Sequence, residues 1–237
     1  MCSSDLTAYE PKNRAFLEAN LSGVELAKWK YQRYIKDYLR CVASVDDNIG
    51  RLLDYLDEHG LTENTVVIYT SDQGFYLGEH GWYDKRFMYE ESLGMPLIIR
   101  YPQEISAGRT LDEMVLNLDF CPTILDYAEV EVPAEIQGES LRPLLRGDPP
   151  PQWRQMIYYH YYEYPHGWHD VKRHYGIRTR NFKLIHFYDD IDAKELYDLQ
   201  QDPHELNNVY GRAQFNGIQN ELETQLKELK KYYKDFE

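Results

Sequence analysis

The chain has 237 residues, enough for one large domain or two modest ones, and its 43% hydrophobic content is that of a globular protein with a buried core. Its 40 acidic against 26 basic side chains give a formal charge of −14, which repels a phosphate backbone and excludes general nucleic-acid binding. No apolar run reaches the roughly 18 residues of a membrane-spanning helix, so no span is expected.

The polar opening through Pro11 lacks the charged-then-apolar pattern of a secretory leader and reads as a truncated or junctional start. Over residues 23–59, Leu39, Val42, Val45, Ile49, Leu52, Leu53 and Leu56 recur at steps of three and four, which predicts an amphipathic helix ended by Gly60. Residues 65–70 (TVVIYT) and 96–101 (PLIIRY) are continuous β-branched and apolar runs, read as strands buried on both faces of a parallel sheet. Helix, strand, long loop and strand together read as α/β. Asp119 stands as the N-cap of a short helix that begins near Pro122.

Glycine and proline gather over residues 135–153 and end in Asp148-Pro149-Pro150-Pro151, which places a domain border there: 1–145 in an α/β domain, 146–237 beyond it. Short strands are expected at 155–162, 173–179, 182–188 and 196–199, forming an antiparallel sheet. A charged helix over 221–233, with Leu222, Leu226 and Leu229 on one side, covers a face of that sheet. Cys2, Cys41 and Cys121 show no CxxC spacing and are expected as free, mostly buried thiols.

The chemistry concentrates after the first strand. Ser71-Asp72-Gln73-Gly74 falls at a strand end, where open α/β sheets bind ligands, and a carboxylate beside an amide oxygen suits a hard cation. An Asx-type turn explains the same four residues equally simply. The loop that follows is long and aromatic, and in it Lys85 could meet an anion and His80 could bind substrate or exchange a proton. A solvated lysine and a hydrogen-bonded loop histidine are the plainer alternatives. Tyr158, Tyr159, Tyr161 and Tyr162 alternate with His160, and Trp168, His169, Asp170 and His174 follow. Aromatic faces and polar edges suit a sugar, although strand packing accounts for them too.

Residues 56–74 (LDEHGLTENTVVIYTSDQG), then LGEHG at 77–81, Lys85 and MYEESLGMPLIIRYP at 88–102, together resemble the type I sulfatase family. The resemblance runs on through YYHYYEYP at 158–165, YGIRT at 175–179, FKLI at 182–185, ELYDL at 195–199 and DPHELNN at 202–208. It implies the C-terminal part of an alkaline-phosphatase-like sheet core followed by a small α+β subdomain, an antiparallel sheet with a C-terminal helix. It further implies Asp72 and Gln73 as ligands of a catalytic Ca2+ and Lys85 as a sulfate contact, within a sulfuric ester hydrolase. The stretch DKRFMYEE at 84–91 is similar to sulfatases acting on 6-sulfated N-acetylglucosamine, so a sulfated glycan is the expected partner, with His80, His169 and Arg178 near the sugar.

Two departures accompany the likeness. The family's C/S-x-P-x-R sequence, whose first residue becomes formylglycine, is absent, so the nucleophile is expected from a preceding part and the chain alone is expected to be inactive. Gly94 stands where a larger residue is expected. The family resemblance implies a periplasmic, cell-surface, secreted or lysosomal location. Two rivals stay open: a phosphodiesterase or phosphatase of the same superfamily, against which Gln73 argues because those enzymes favour Asp-His, and a noncatalytic glycan-binding pseudoenzyme.

Overall fold

The computed structural model describes residues 10–165 and 169–236, in two compact units divided at Gly60. The first unit holds α1 (Glu10–Glu18) and the 36-residue α2 (Gly23–Glu58). The period of apolar residues made α2 legible, and His59 and Gly60 end it, with Gly60 at φ 64°. Within α2 only Leu56 is buried. No described helix is long and apolar enough to cross a membrane.

The second unit begins with β1 (Val67–Thr70), and a long loop containing α3 (Glu90–Leu93) leads to β2 (Leu97–Arg100). These strands pair antiparallel, Val67 opposite Arg100 and Thr70 opposite Leu97, which corrects the parallel arrangement expected from sequence. An apolar run records burial and says nothing of direction. Nor is β2 buried on both faces: Leu97 and Ile99 pack against the cluster of Leu141, Leu144 and Trp153, whereas Ile98 is 64% exposed.

Two further helices, α4 (Phe120–Tyr127) and α5 (Arg142–Arg146), follow. Asp119 does not cap α4 through its side chain. Its fully buried carboxylate accepts from the amides of Leu116 and Glu139 and pairs with both terminal nitrogens of Arg154. A buried carboxylate needs a cation and several donors, and Arg154 supplies a two-pronged one. The glycine- and proline-rich stretch read as a domain border thus contains α5, and the border drawn at 145 falls inside the second unit.

The chain then builds a four-stranded antiparallel sheet in the order β3 (Met156–Tyr161), β4 (His174–Thr179), β5 (Phe182–Phe187), β6 (Ala193–Asp198). Against one face lies α6 (Asn216–Tyr232), whose Leu222 and Leu226 join Ile177, Leu184 and Leu196 in a core. Because side chains alternate along a strand, Tyr158, His160 and Tyr175 share that face. The other face, with Tyr159, His174, Ile185 and Phe187, takes the long loop through Tyr76, Met88 and Tyr89. Gly176 allows this: a Cβ there would lie 2.5 Å from Met88 Sδ and 2.5 Å from the Leu184 carbonyl. Of the cysteines, Cys41 and Cys121 are free as expected but exposed rather than buried, while Cys2 lies outside the described residues.

His174 has no exposed surface and is stacked among Phe87, Tyr159 and Tyr161, with the Phe187 ring tilted against it. Burial lowers its pKa to about 4, against a partial offset from the bond between Nδ1 and the Lys172 carbonyl. Below the unfolded value of 6.5 the unfolded chain takes up a proton that the folded chain refuses. Stability therefore declines as pH falls from 6.5 toward 4, by a single-site contribution approaching about 3 kcal/mol. Urea midpoints measured across that interval should show the decline, and His174→Phe, which keeps a stacking ring, should flatten it.

Candidate active site

The loop over residues 71–94 is held to the sheet and folded on itself, and it carries Asp72, Gln73, His80 and Lys85. Immediately after β1, the Ser71 hydroxyl donates to the Gln73 carbonyl at 2.9 Å and the Asn117 amide to the Asp72 carbonyl at 3.2 Å, which fixes the turn. Gly74 completes it: a Cβ there would sit 2.0 Å from the Glu91 carbonyl and 2.4 Å from that of Gly94, so no other residue fits. That contact gives Gly94, unexpected in the sequence, a place against the turn. The Asp72 carboxylate is exposed, and among the described residues it bonds only with the Ser71 hydroxyl, 3.4 Å away.

Asp72 and Gln73 are hard oxygen donors of the kind that calcium takes, and an exposed, uncommitted carboxylate fits such an ion. They are two of the six to eight oxygens calcium ordinarily collects. Among the described residues, no group of three or more His, Cys, Asp or Glu side chains converges as a metal cluster.

Beyond Tyr76 the loop doubles back, with the Tyr76 amide donating to the Asp84 carbonyl at 2.7 Å and the Gly78 amide to that of Trp82 at 2.9 Å. His80 sits in the 3-10 turn Glu79–Gly81 with φ 54°, a left-handed conformation uncommon for a non-glycine residue. Its ring stacks on Tyr89 at 4.6 Å, and its Nε2 lies 3.4 Å from Glu91 Oε2.

The return strand of the loop carries three charges of different standing. Asp84 and Arg86 form an ion pair, and the second terminal nitrogen of Arg86 lies 2.5 Å from His169 Nε2. Glu163 stands 3.9 Å from the same guanidinium, and the Tyr159 hydroxyl donates to the Arg86 carbonyl at 2.8 Å. Between Asp84 and Arg86, half-buried Lys85 makes no side-chain hydrogen bond or ion pair among the described residues. A half-buried ammonium flanked by two engaged charges is the group in this loop left to meet an anion from outside.

Arg178, read from sequence as a sugar contact, has a different partner. Its guanidinium grips Glu90 at 2.9 and 3.2 Å. The same carboxylate lies 2.8 Å from the ammonium of Lys183, which has no exposed surface and lies 2.6 Å from Glu205. Glu205 in turn accepts the Glu90 amide at 2.7 Å. Burial opposes ionisation of Glu90, yet Arg178 and Lys183 outweigh it and hold its carboxyl down at about 2. Burial raises the Glu205 carboxyl, with Lys183 opposing that rise.

Asp72, Gln73, His80 and Lys85 thus share one loop and His169 meets it at Arg86, while Asp84, Arg86, Glu90, Lys183 and Glu205, unmarked in the sequence, form the ion pairs around it. Tyr158 and His160, marked as candidate sugar contacts, lie on the α6 face of the sheet and bond to Asp235. Trp168 is outside the described residues.

Comparison with known proteins agrees with this architecture. The family described as Sulfatase matches residues 4–130, and that described as N-sulphoglucosamine sulphohydrolase, C-terminal, matches residues 78–232. The chain belongs to the sulfatase family. It is 56% identical over 231 residues to an N-acetylglucosamine-6-O-sulfatase of Bacteroides thetaiotaomicron, covering 97% of this chain and 41% of that protein. A solved structure of a protein in complex with its substrate D-glucosamine-2-N,6-O-disulfate superposes with a TM-score of 0.92 at 55% identity, over 98% of this chain and 47% of that one. A phosphonate monoester hydrolase from Silicibacter pomeroyi aligns with a TM-score of 0.71 at 30% identity, over 79% and 39% of the two chains. The sulfatase chain described here therefore spans about two fifths of the length of the first of these relatives.

Removing one charge from a buried pair strands the other, at a cost of about 3–5 kcal/mol. Glu205→Gln and Lys183→Met should each destabilise the protein by that order, and Lys183→Met/Glu205→Leu should recover a large part of the loss. Urea denaturation of the two single variants and the double variant reads the three values directly.

Proposed function

We propose that this chain forms part of a sulfatase that removes the 6-O-sulfate from N-acetylglucosamine or glucosamine residues of a sulfated glycan. The observation that carries the reading is Lys85: a half-buried cation with no side-chain partner among the described residues, beside a carboxylate–guanidinium–imidazole cluster able to hold sugar hydroxyls. The likeness to the Bacteroides thetaiotaomicron enzyme and to the complex with a 6-O-sulfated glucosamine supports the same choice of substrate.

In this reading Asp72 and Gln73 would hold a calcium ion, which supplies positive charge at the sulfate oxygens when bound. The Lys85 ammonium donates to a sulfate oxygen and stabilises the charge that moves as the sulfur–oxygen bond to the sugar breaks. Arg86, kept in place by Asp84, and His169 beside it donate to sugar hydroxyls and so orient the ring. His80, with Glu91 at 3.4 Å, exchanges a proton with the departing sugar oxygen. The chain has no C/S-x-P-x-R sequence, so the attacking group does not come from among its residues.

The phosphonate monoester hydrolase likeness keeps a phosphoryl substrate as a second reading. Gln73 counts against it, because an amide oxygen beside a carboxylate suits one hard cation better than a transition-metal pair.

In the complete enzyme, Lys85→Ala should lower turnover of N-acetylglucosamine 6-sulfate by a factor on the order of 100 to 1,000, with KM changed only a few-fold. Asp72→Ala should abolish both sulfate release and calcium retention. The 237-residue chain alone should release no sulfate. Wild-type turnover in Lys85→Ala, or faster cleavage of a phosphonate monoester than of the sulfate ester by the unmodified enzyme, would remove the assignment.

A further inference from the structure

Strand β3 stands at the edge of the C-terminal sheet, paired with β4 on one side and, among the described strands, with none on the other. Lacking a second ladder, an edge strand depends on its side chains to fix it. On the face that takes the loop over residues 71–94, Tyr159 and Tyr161 reach the candidate site. The Tyr159 hydroxyl donates to the Arg86 carbonyl at 2.8 Å, and the Tyr161 hydroxyl donates at 3.0 Å to Glu163, which stands 3.9 Å from the Arg86 guanidinium. The position of Arg86 is therefore tied to that of β3.

On the opposite face, Tyr158 and His160 converge on the carboxylate of Asp235, which is brought there by the way α6 ends. Tyr233 caps the helix, and Lys234 takes a left-handed φ of 56°. The Lys234 and Asp235 amides then donate to the carbonyls of Lys231 and Lys230 at 3.2 and 2.9 Å. Glycine ordinarily provides this helix stop, and a lysine adopts it at a cost that its surroundings must offset. The docking of Asp235 offsets it: one carboxylate oxygen accepts from the Tyr158 hydroxyl and from His160 Nδ1, with the Tyr162 hydroxyl 3.3 Å away. His160 Nε2 lies 2.7 Å from the Tyr188 hydroxyl, so both ring nitrogens are engaged. The side chains of His160 and Asp235 are only 3% and 7% exposed, and breaking their pair would strand a buried polar group. Burial opposes ionisation of Asp235, yet the bonds from Tyr158 and His160 outweigh it and hold the carboxyl below its ordinary value.

We propose that Asp235 is a positioning residue of the candidate site: by holding Tyr158 and His160 from the α6 side, it fixes the edge strand whose other face sets Arg86. The inference rests on the proposed function, in which Arg86 and His169 orient the sugar. Successive residues of a strand point to opposite faces, so a shift of His160 carries Tyr159 and Tyr161 with it. An apolar pair in place of His160 and Asp235 would also pack α6 on the sheet, but a satisfied polar network admits one geometry where apolar packing admits several.

The test is steady-state kinetics of the complete enzyme on N-acetylglucosamine 6-sulfate, joined to amide hydrogen exchange of the 237-residue chain, which needs no substrate. Asp235→Ala should raise KM by roughly tenfold, the loss of one hydrogen bond to a charged group, and leave kcat within about threefold. That is the opposite of the split expected for Lys85→Ala. In an Arg86→Ala background, Asp235→Ala should leave KM unchanged because it acts through Arg86, whereas a purely structural role would add its effect to that of Arg86→Ala. Exchange in Asp235→Ala should quicken over residues 156–163 and 84–88 and stay as it is over β5 and β6. Should Asp235→Ala fail to fold, Asp235→Asn, which keeps the shape and loses the charge, should show the same split and coupling at smaller size. Lys231→Ala, which removes an exposed charge from the last turn of α6, should change nothing. Wild-type KM in both Asp235 variants, effects that add to those of Arg86→Ala, or unaltered exchange over residues 84–88 would overturn the proposal. If the complete enzyme cleaves a phosphonate monoester and not the sulfate ester, the proposed function falls, and the same cycle measured on the phosphonate still decides the role of Asp235.

Discussion

Lys183 is the constraint on which the candidate site hangs. Its ammonium has no exposed surface, and a charge in that position is tolerable only with carboxylates against it. The two that answer it come from different parts of the chain: Glu90 heads the short helix within the loop over residues 71–94, and Glu205 follows the last strand of the C-terminal sheet. Because Glu205 also accepts the Glu90 amide, the loop is fastened to the sheet through both backbone and side chain. The contact to Glu205 is one of charge rather than a well-aligned hydrogen bond, so it acts as an electrostatic clamp. Arg178 closes the arrangement from the neighbouring strand.

The clamp ties the C-terminal sheet to the loop that carries Lys85. Met88 and Tyr89, the two residues before Glu90, are buried in the same interface, with Met88 seated on Gly176. Lys85 and Arg86 therefore leave the sheet from a rigid base, and Tyr159 holds the Arg86 carbonyl besides. Lys85 has no side-chain partner among the described residues, while Glu90 in the same loop is engaged by both Arg178 and Lys183. Preorganisation of this sort places a charge before substrate arrives and spares the cost of arranging it during the reaction.

Much of this was legible in the sequence, and what was not shares one physical cause. Helix α2, the strand before Asp72 and the C-terminal sheet all followed from local periodicity, and the Asp-Gln-Gly turn from its place at a strand end. Strand direction did not follow, since an apolar run carries no record of its partner. Asp119 was misread because a capping rule looks a few residues ahead, whereas its partner Arg154 lies 35 residues on. The ion pair of Arg178 with Glu90 was hidden for the same reason, since 88 residues separate the two. Lys183 did leave a signal: it shares its alternation with Ile185 and Phe187, so a lysine on an inward strand face called for a buried carboxylate. The pairing of Arg86 with His169 spans 83 residues and left no local trace.

The central claim, that buried charge on the C-terminal sheet holds the loop carrying Lys85 in place, is tested most directly by amide hydrogen exchange in Glu205→Gln. Under native conditions the account predicts faster exchange at the Glu90, Gly74 and Tyr76 amides, with exchange in the centre of β4 and β5 little altered. Loop amides that keep wild-type protection in that variant would show that the loop is held by something other than the Lys183 cluster, and the account of the site would fall with it.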